Sequence, residues 1–163
     1  MIKAIMAIDH EWGIAKNGEM PWPHNKEDLK QFKEKTTGHN VVMGSKTWNS
    51  SMPSPLPNRN NYVVTTQPAS NFVGSSGIIS DDISSQIISL DRATDCDTWI
   101  IGGAEVIKQT LPIIKEFHLT IIGLKIYNCD IHLDISKYLH DNFTVTKMEI
   151  TPGNTYYIYE RNE

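Results

Sequence analysis

The sequence predicts an α/β protein. Short apolar runs rich in β-branched residues recur along the chain, and segments with helical spacing lie between most of them. In addition, two of the apolar runs end in glycine directly before a helical segment. Because strands that alternate with helices are joined by right-handed crossovers, we expect a sheet with a ligand crevice at the carboxyl ends of its parallel strands. The last two apolar runs follow one another and alternate as antiparallel strands do, so the sheet is expected to be mixed.

Eight segments are predicted to be strands. The first six are apolar runs, typical of central strands covered on both faces, and the last two alternate, as antiparallel edge strands do. The segments are 2–8, 40–43, 61–66, 77–80, 98–101, 117–124, 143–150 and 155–161.

Four segments are predicted to be helices, each too short to be stable without packing on the sheet. They are 26–36, 45–51, 82–91 and 104–111. Loops are predicted where prolines and glycines interrupt the middle of the chain, at Pro53, Pro55, Pro57, Gly74 and Gly77.

Length and composition indicate one domain. The chain has 163 residues, 39% hydrophobic and 21% charged, so we expect a single domain over 1–163. A net charge of -4 without a Lys/Arg cluster argues against a nucleic-acid partner. The opening MIKAIMAID is too short for a signal sequence or a membrane span, and Cys96 and Cys129 lack metal-site spacing. We therefore expect a cytoplasmic protein without a membrane partner, in which both cysteines are packing residues.

The stretch MPWPHNKEDLKQF at 20–32 sets Glu27 and Asp28 beside an apolar run. Asn25 can cap the helix, with Asp28 as a capping-box-like acid near its positive end. Alternatively, one carboxylate points into a cleft, where burial raises its pKa and it holds a cationic or amidine-like ligand. Structural carboxylates outnumber functional ones, so this stretch taken alone favours the cap.

Two junctions of strand, glycine and helix are candidate phosphate sites. WIIGGAEVI at 99–107 passes through Gly102-Gly103 into a helix, and VVMGSKTW at 41–48 passes through Gly44 into Ser45, Lys46 and Thr47. Glycine permits close backbone approach, and a new helix offers unpaired N–H groups. Each junction alone is equally an ordinary turn or cap, but two in one small domain favour a ligand with several phosphates.

Arg59 follows a proline-rich segment, PSPLPNRN at 53–60. A guanidinium on a stiff support suits a ligand carboxylate, although a surface arginine is equally compatible with the pattern. The six histidines show neither H-E-x-x-H nor H-x-H spacing, and the chain has no G-x-S-x-G motif, so we expect neither a metal site nor a serine hydrolase.

Seven motifs, taken in order, resemble those of dihydrofolate reductase. They are GIAKNGEMPW (13–22), DLKQFK (28–33), VVMGSKTW (41–48), PLPNRNNYVVT (55–65), WIIGGAEV (99–106), LTII (119–122) and DIHLD (130–134). Their joint occurrence is specific, and the likeness continues to the closing YYIYER. The resemblance implies a three-layer fold with a mixed, mostly parallel eight-stranded sheet flanked by four helices.

The resemblance also implies a reaction. Dihydrofolate reductases transfer hydride from NADPH to C6 of 7,8-dihydrofolate and protonate N5, and so supply tetrahydrofolate for one-carbon and thymidylate metabolism. The cofactor supplies the hydride while the protein orients the reactants. A monomer with these two small-molecule ligands is expected.

The resemblance assigns four catalytic residues. Asp28 matches the single acid of the active site, which grips the amidine-like edge of the pterin, and Thr120 matches the threonine linked to it. Trp22 matches a tryptophan that holds a nearby water, and Met20 matches the lid residue in the loop 13–22. Asp130 matches an acid that steadies the lid in some members, and Glu27 is then a solvated neighbour.

Two larger sets follow from the same matching. The expected substrate-binding residues are Ile5, Met6, Asp28, Leu29, Phe32, Ser50, Leu56, Arg59, Ile101 and Thr120, with Arg59 as the clamp on the glutamate α-carboxylate. The expected cofactor-binding residues are Ala7, Ile14, Gly44, Ser45, Lys46, Thr47, Thr65, Thr66, Ile101, Gly102, Gly103, Ala104, Glu105, Val106 and Ile107. Gly102-Gly103 is expected to carry the family's cis peptide.

Departures from the family pattern bear on the cofactor. Ser45 and Glu105 stand where many bacterial members have arginines that grip the 2′-phosphate, and Lys46, Thr65 and Thr66 can replace part of that grip. We therefore expect NADPH to be used with a narrower preference over NADH. Ile107 replaces a frequent tyrosine, which predicts slower hydride transfer. Ser51-Met52 replaces a more usual apolar turn at the benzoyl-glutamate tail.

Two alternatives use the same fold. One is a pyrimidine reductase of riboflavin synthesis, which would not need Asp28 and Arg59 together. The other is a non-catalytic folate- or nucleotide-binding module, which would keep the crevice without oxidising a cofactor.

Overall fold

A computed structural model of the chain describes residues 1–23, 25–50, 52–123 and 126–163. Ser51, the last residue of one predicted helix, and Leu124, the last of one predicted strand, lie outside the described residues. Within the described ranges, no helix combines the length and the apolar character that crossing a membrane requires.

All eight predicted strands are present, with ends within about two residues of those expected. Two further short strands, β2 and β8, were not predicted. In chain order the strands are β1 (Ile2–Ile8), β2 (Gly13–Ala15), β3 (Asn40–Gly44), β4 (Asn60–Val64), β5 (Gly77–Ile79), β6 (Thr98–Gly102), β7 (Glu116–Ile122), β8 (Ile131–His132), β9 (Phe143–Ile150) and β10 (Asn154–Arg161).

The expectation of four helices is wrong, because the described residues form five α-helices. They are α1 (Lys26–Thr36), α2 (Ser45–Trp48), α3 (Ile83–Ala93), α4 (Ala104–Thr110) and α5 (Ser136–Asn142). The additional helix is α5, whose only buried residue is Leu139, so its apolar pattern is too weak to recognise. The described residues also form two short 3₁₀ turns, at Ala69–Asn71 and Leu111–Ile113.

Eight strands form one sheet in the order β5-β4-β3-β6-β1-β7-β10-β9. The pairings from β5 through β7 are parallel, and β10 pairs antiparallel with both β7 and β9. The predicted mixed, mostly parallel sheet is therefore confirmed. A separate antiparallel pair of β2 and β8 lies outside this sheet.

The sheet is covered on both faces, which makes three layers. Successive residues of β1 belong to different packed clusters: Ile5 lies in one, and Ala4 and Met6 lie in the other. Side chains alternate across a strand, so these clusters occupy opposite faces of the sheet. The Ile5 face is packed by side chains of α1 and α2, and the Met6 face by those of α3, α4 and α5.

Candidate active site

Asp28 is held in the first turn of α1 by a cap. The Asn25 side chain accepts a hydrogen bond from the Asp28 N–H at 3.0 Å. Asn25 and Asn154 also exchange hydrogen bonds of 2.7 and 3.1 Å, so β10 fixes the start of the helix. The cap predicted at Asn25 is present, and it orients Asp28 rather than replacing a role for its carboxylate.

The Asp28 carboxyl group faces the sheet rather than bulk water. Burial raises its pKa above the usual value, whereas the nearby hydroxyl of Thr120 and the ammonium of Lys35 favour the charged form. Thr120 itself is buried, in β7 between Ala7 of β1 and Tyr156 of β10. Glu27 is exposed. The two adjacent acids thus lie in opposite environments, and a carboxylate in the position of Asp28 can hold a cationic ligand group.

Apolar side chains surround this pair on the same face of the sheet. Ile5 and Leu56 are buried in the cluster that covers this face, and Phe32 and Ile101 pack against it while remaining partly exposed. Leu29 and Ser50 are also partly exposed. These residues form largely apolar walls around one half-buried acid, the composition typical of a small-molecule site.

Four residues expected to bind the substrate or the cofactor have side chains in the other cluster. Met6, Val106 and Ile107 are buried there, and Ile14 packs against it. A ligand beside Asp28 would therefore meet the backbone of Met6, and not its side chain. Ile107 is 1% exposed, so its side chain is a core residue rather than a contact surface.

Arg59 is fixed at one end of these walls. Its Nε donates to the carbonyl of Pro57 at 2.9 Å and its Nη1 to the hydroxyl of Thr36 at 3.0 Å. The guanidinium lies over the ring of Phe32, 5.9 Å from its centre. Burial lowers the pKa of Arg59 from its usual value. Two of its five donors are used, and the remaining ones can bind a carboxylate.

Asn61, which the motifs did not single out, holds the loop that carries Arg59. Its Oδ1 accepts from the N–H of Leu56 at 2.9 Å, and its Nδ2 donates to the carbonyls of Leu56 and Arg59, each at 3.0 Å. Asn61 is 2% exposed and lies in β4. The proline-rich segment is therefore ordered by a buried amide as well as by its prolines. Polar residues at the start of an apolar strand, NRNN, were the available signal.

The two predicted strand–glycine–helix junctions lie side by side. β3 and β6 are neighbours, and Met43 pairs with Gly102. A Cβ added at Gly44 would lie 3.3 Å from Val106 Cγ2 and 3.9 Å from the Gly103 nitrogen. The peptide between Gly102 and Gly103 is cis, as expected from the resemblance. Because side chains are missing at these points, the two junctions pack closely, and the backbone of Gly44 and Gly103 remains partly exposed.

Polar groups surround these junctions. Thr47 Oγ1 lies 3.9 Å from the Cβ positions of both Gly102 and Gly103. Lys46 and Thr66 are exposed, and Thr65 and Ser45 are partly exposed. Glu105, in the first turn of α4, is exposed and pairs with Lys108 at 3.7 Å. The region offers hydroxyls and one lysine to an anion, with a carboxylate nearby.

The loop that precedes α1 carries Met20 and Trp22. Met20 is 46% exposed, whereas Trp22 is buried with its ring edge-on to Tyr127, 6.1 Å between centres. The N–H of Asn17 in this loop donates to Asp130 Oδ2 at 2.8 Å. That bond and the pairing of β2 with β8 tie the loop to the segment after β7.

A buried carboxylate, Asp9, anchors the base of this loop and was not identified from the sequence. It accepts hydrogen bonds from the N–H groups of Glu11 and Gly13, each at 2.8 Å, and of Tyr127 at 3.0 Å. The Cys129 thiol also lies 3.5 Å from it. Burial and this carboxylate raise the pKa of Cys129 to about 11, so the thiol is an unreactive packing group.

Comparisons with known proteins agree with this architecture. A family model described as "Dihydrofolate reductase" matches residues 1–159. The chain is 39% identical over 126 residues to the dihydrofolate reductase of Buchnera aphidicola subsp. Acyrthosiphon pisum, covering 77% of this chain and 74% of that protein. It is 28% identical over 166 residues to dihydrofolate reductase type 8 of Escherichia coli, covering 99% of this chain and 96% of that protein.

A solved structure is similar over the whole chain. The dihydrofolate reductase from Enterococcus faecalis, complexed with NADP(H) and RAB-propyl, superposes with a TM-score of 0.85 at 28% identity. The match covers 100% of this chain and 97% of that one.

Proposed function

The chain belongs to the dihydrofolate reductase family, and we propose that its cleft carries out the reaction of that family. The enzyme is an oxidoreductase that reduces 7,8-dihydrofolate to tetrahydrofolate with NADPH. The observation that carries the proposal is the half-buried carboxyl group of Asp28 beside the buried Thr120, in a chain that matches the family over residues 1–159. The alternatives, a pyrimidine reductase or a module without catalysis, are not favoured by these matches.

Asp28 is the residue that orients the pterin. Its carboxylate accepts hydrogen bonds from the amidine-like edge of the ring, and it is the acid whose pKa burial raises. Thr120 holds the carboxyl group in position. The negative charge favours the positive charge that develops as the ring gains a proton at N5, and a water near Trp22 delivers that proton. Ile5, Phe32 and Ile101 enclose the ring, which excludes other water.

Arg59 binds the far end of the substrate. Its free donors form a bidentate pair with the α-carboxylate of the glutamate tail, and its bonds to Pro57 and Thr36 keep it ready for that contact. In this proposal the ring of the benzoyl-glutamate tail is contacted by Leu29, Ser50 and Leu56.

The glycine junctions fit a dinucleotide. Bound NADPH supplies the hydride that reaches C6. The partly exposed backbone at Gly44 and Gly103 faces the pyrophosphate in this proposal, and the glycine at 44 lets the two junctions lie close together, since a Cβ there would crowd Val106 and Gly103. Ala7, Ile14, Thr47 and Ala104 border the same region in this proposal, whereas Val106 and Ile107 support it from the core.

Lys46, Thr65 and Thr66 bind the 2′-phosphate in this proposal, with Ser45 as a neutral neighbour. Glu105 repels that phosphate, although its pairing with Lys108 reduces the effect. We therefore propose that NADPH is preferred over NADH by a smaller factor than two arginines would provide.

The loop 13–22 acts as the lid, with Met20 over the reacting centre when it closes. The bond from Asn17 to Asp130 stabilises one position of this loop. We also propose that the chain acts as one domain, as a monomer and in the cytoplasm; its continuous eight-stranded sheet supports the first point.

A spectrophotometric assay tests the proposal. Purified protein is mixed with dihydrofolate and either NADPH or NADH, and the loss of reduced-nicotinamide absorbance is followed. Asp28→Asn removes a charge-assisted pair, so kcat/KM falls by roughly 10- to 100-fold. Glu27→Gln is the matched control, because it neutralises the adjacent exposed carboxylate, and it changes kcat/KM by less than about twofold.

Three outcomes are informative. Absence of dihydrofolate-dependent oxidation with either cofactor refutes the enzymatic function. Equal losses in both variants refute the role of Asp28 but leave the reaction standing. A kcat/KM that is higher with NADH than with NADPH refutes the cofactor preference.

A further inference from the structure

Charged and polar groups alternate beneath α1, beside the proposed site. The ammonium of Lys35 lies 2.7 Å from His118 Nδ1, and His118 Nε2 lies 2.5 Å from Glu116 Oε1. Lys3 Nζ lies 3.8 Å from the same Glu116 oxygen and 3.1 Å from Asp97 Oδ2. The row thus runs from the amino ends of the central strands β1 and β6 to Lys35, and neither the motifs nor the proposed reaction assigns it a role.

The geometry determines where the positive charge in this row resides. An ammonium only donates, so His118 Nδ1 accepts and Nε2–H donates to Glu116, which is the arrangement of a neutral imidazole. Burial and the neighbouring Lys35 lower the pKa of His118 to about 4. The charge next to α1 is therefore that of Lys35, and His118 serves as its neutral acceptor.

Lys35 and Asp28 lie on one side of α1. They are seven residues apart, which is two turns and about 10 Å along the axis. On β7, His118 and Thr120 are two residues apart and face the same side of the sheet. Asp28 and Lys35 are consequently placed on one helix face beside Thr120 and His118 of the same strand, of which both are buried and His118 contacts Lys35 directly.

Other charges also face Lys35. Glu116 on β7 and Glu149 on β9 are attractive, as is Asp28, while Lys147 on β9 is repulsive. Lys3 on β1 faces His118, and Glu27 faces Asp28 and opposes its ionisation. Burial, followed by Lys147, lowers the pKa of Lys35 to about 8. Lys35 thus carries its charge through neutral pH and loses it as the pH rises through that value.

We propose that Lys35, held on His118, is a positioning residue that keeps the Asp28 carboxyl group ionised in the cleft and so sets the lower pH limit for binding of a pterin-like cation. Only the identity of that ligand rests on the proposed function. The ionisation of Asp28 can be measured without any ligand.

The direct test is a carbon-13 NMR titration of protein labelled at the aspartate carboxyl carbons. The Asp28 resonance is identified by its absence in Asp28→Asn. In Lys35→Met, loss of a unit charge at about 10 Å raises the titration midpoint of Asp28 by about 0.3 to 1 pH unit. Lys35→Gln, which retains a donor for His118, gives the same shift if the methionine variant does not fold. Lys35→Arg retains the wild-type midpoint.

Lys30→Met is the matched control. Lys30 is nearer to Asp28 in sequence, but its side chain is 77% exposed and pairs with Glu34 at 3.9 Å. Solvent screens such a charge, so the Asp28 midpoint stays within about 0.1 pH unit of wild type. The affinity for 2,4-diaminopteridine is measured across the same pH range, and its loss at low pH moves upward only in the uncharged Lys35 variants.

An unshifted Asp28 midpoint in Lys35→Met and Lys35→Gln overturns the inference, as does an equal shift in Lys30→Met. Neither result bears on the proposal that the protein is a reductase. Conversely, the protein can fail to reduce dihydrofolate while the Asp28 midpoint still shifts in the Lys35 variants. That result refutes the proposed function and supports the coupling of Lys35 to Asp28.

Discussion

Asp9→Asn tests how the base of the lid is held. Asp9 is 0% exposed and accepts hydrogen bonds from N–H groups on both sides: those of Glu11 and of Gly13, the first residue of the lid, and that of Tyr127 in the segment after β7. Asparagine has the same shape, and its Oδ1 can still accept from Glu11 and Gly13. Its Nδ2, however, is a donor that faces the N–H of Tyr127.

The expected cost follows from that mismatch. A hydrogen bond to a charged acceptor is lost and a buried N–H is left unpaired, which together reduce the free energy of unfolding by about 2–4 kcal/mol. For a chain of this size, each kcal/mol lowers the unfolding midpoint by about 2–4 °C. We therefore expect Asp9→Asn to unfold roughly 5–15 °C below wild type at pH 7.

The same residue predicts a pH dependence. Burial raises the pKa of Asp9, but the N–H donors of Tyr127, Gly13 and Glu11 outweigh it, so the pKa lies below the usual value. A lowered pKa contributes stability above the unfolded value, about 3.9, and loses it as the pH falls through the folded one. The gap between wild type and Asp9→Asn is thus complete at pH 7 and narrower at pH 3.

Thermal unfolding followed by circular dichroism at these two pH values measures both effects. Asp95→Asn, at an exposed aspartate, is the control and stays within about 0.5 kcal/mol of wild type. A midpoint of Asp9→Asn within about 1 °C of wild type at pH 7 refutes the hydrogen-bond argument. A gap that is as wide at pH 3 as at pH 7 refutes the assignment of the charge.

Three further substitutions test other contacts. Arg59→Lys removes the bidentate fork, which raises the KM for dihydrofolate about 10-fold or more but leaves the affinity for a pterin without a glutamate tail unchanged. Equal losses of affinity for the two ligands would contradict this expectation. Ser45→Arg adds a cation at the proposed 2′-phosphate site, so the ratio of kcat/KM for NADPH to that for NADH rises about 10-fold. An unchanged ratio would mean that the phosphate binds elsewhere. Gly13→Ala sets a Cβ 2.4 Å from Cys129 Sγ, and this overlap lowers the free energy of unfolding by about 1–3 kcal/mol. Cys129→Gly in the same chain restores part of that stability, whereas a Gly13→Ala variant as stable as wild type would refute the overlap.

The sheet was predictable because its strands are apolar and bounded by turn residues. Both α1 and β1 have the expected bounds. By contrast, β2, β8 and α5 have short or weakly apolar sequences, and they form because of contacts with distant parts of the chain, such as the pairing of Gly13 with His132. Local pattern carries no information about such pairings.

Within the candidate site, residues with a distinctive local context were found and buried polar anchors were not. Asp28 and Arg59 stand beside prolines, tryptophan or a cap, which draws attention to them. Asp9, Asn61 and Lys35 have ordinary neighbours, and their roles arise from partners that are distant in sequence, such as Tyr127 for Asp9 and His118 for Lys35. The side-chain directions of Met6 and Ile107 depend likewise on which face of the sheet each element covers.

The position of β1 has a consequence for synthesis of the chain. This strand precedes the other strands of the sheet in the chain, yet both of its neighbours come late, since β6 begins at Thr98 and β7 at Glu116. On the ribosome, its backbone N–H and C=O groups stay unpaired and its apolar side chains stay uncovered until most of these residues have emerged, and distant pairings of this kind are slow to form. We expect products that stop short of Glu116 to aggregate or to occupy chaperones, whereas those that reach β7 can close the centre of the sheet.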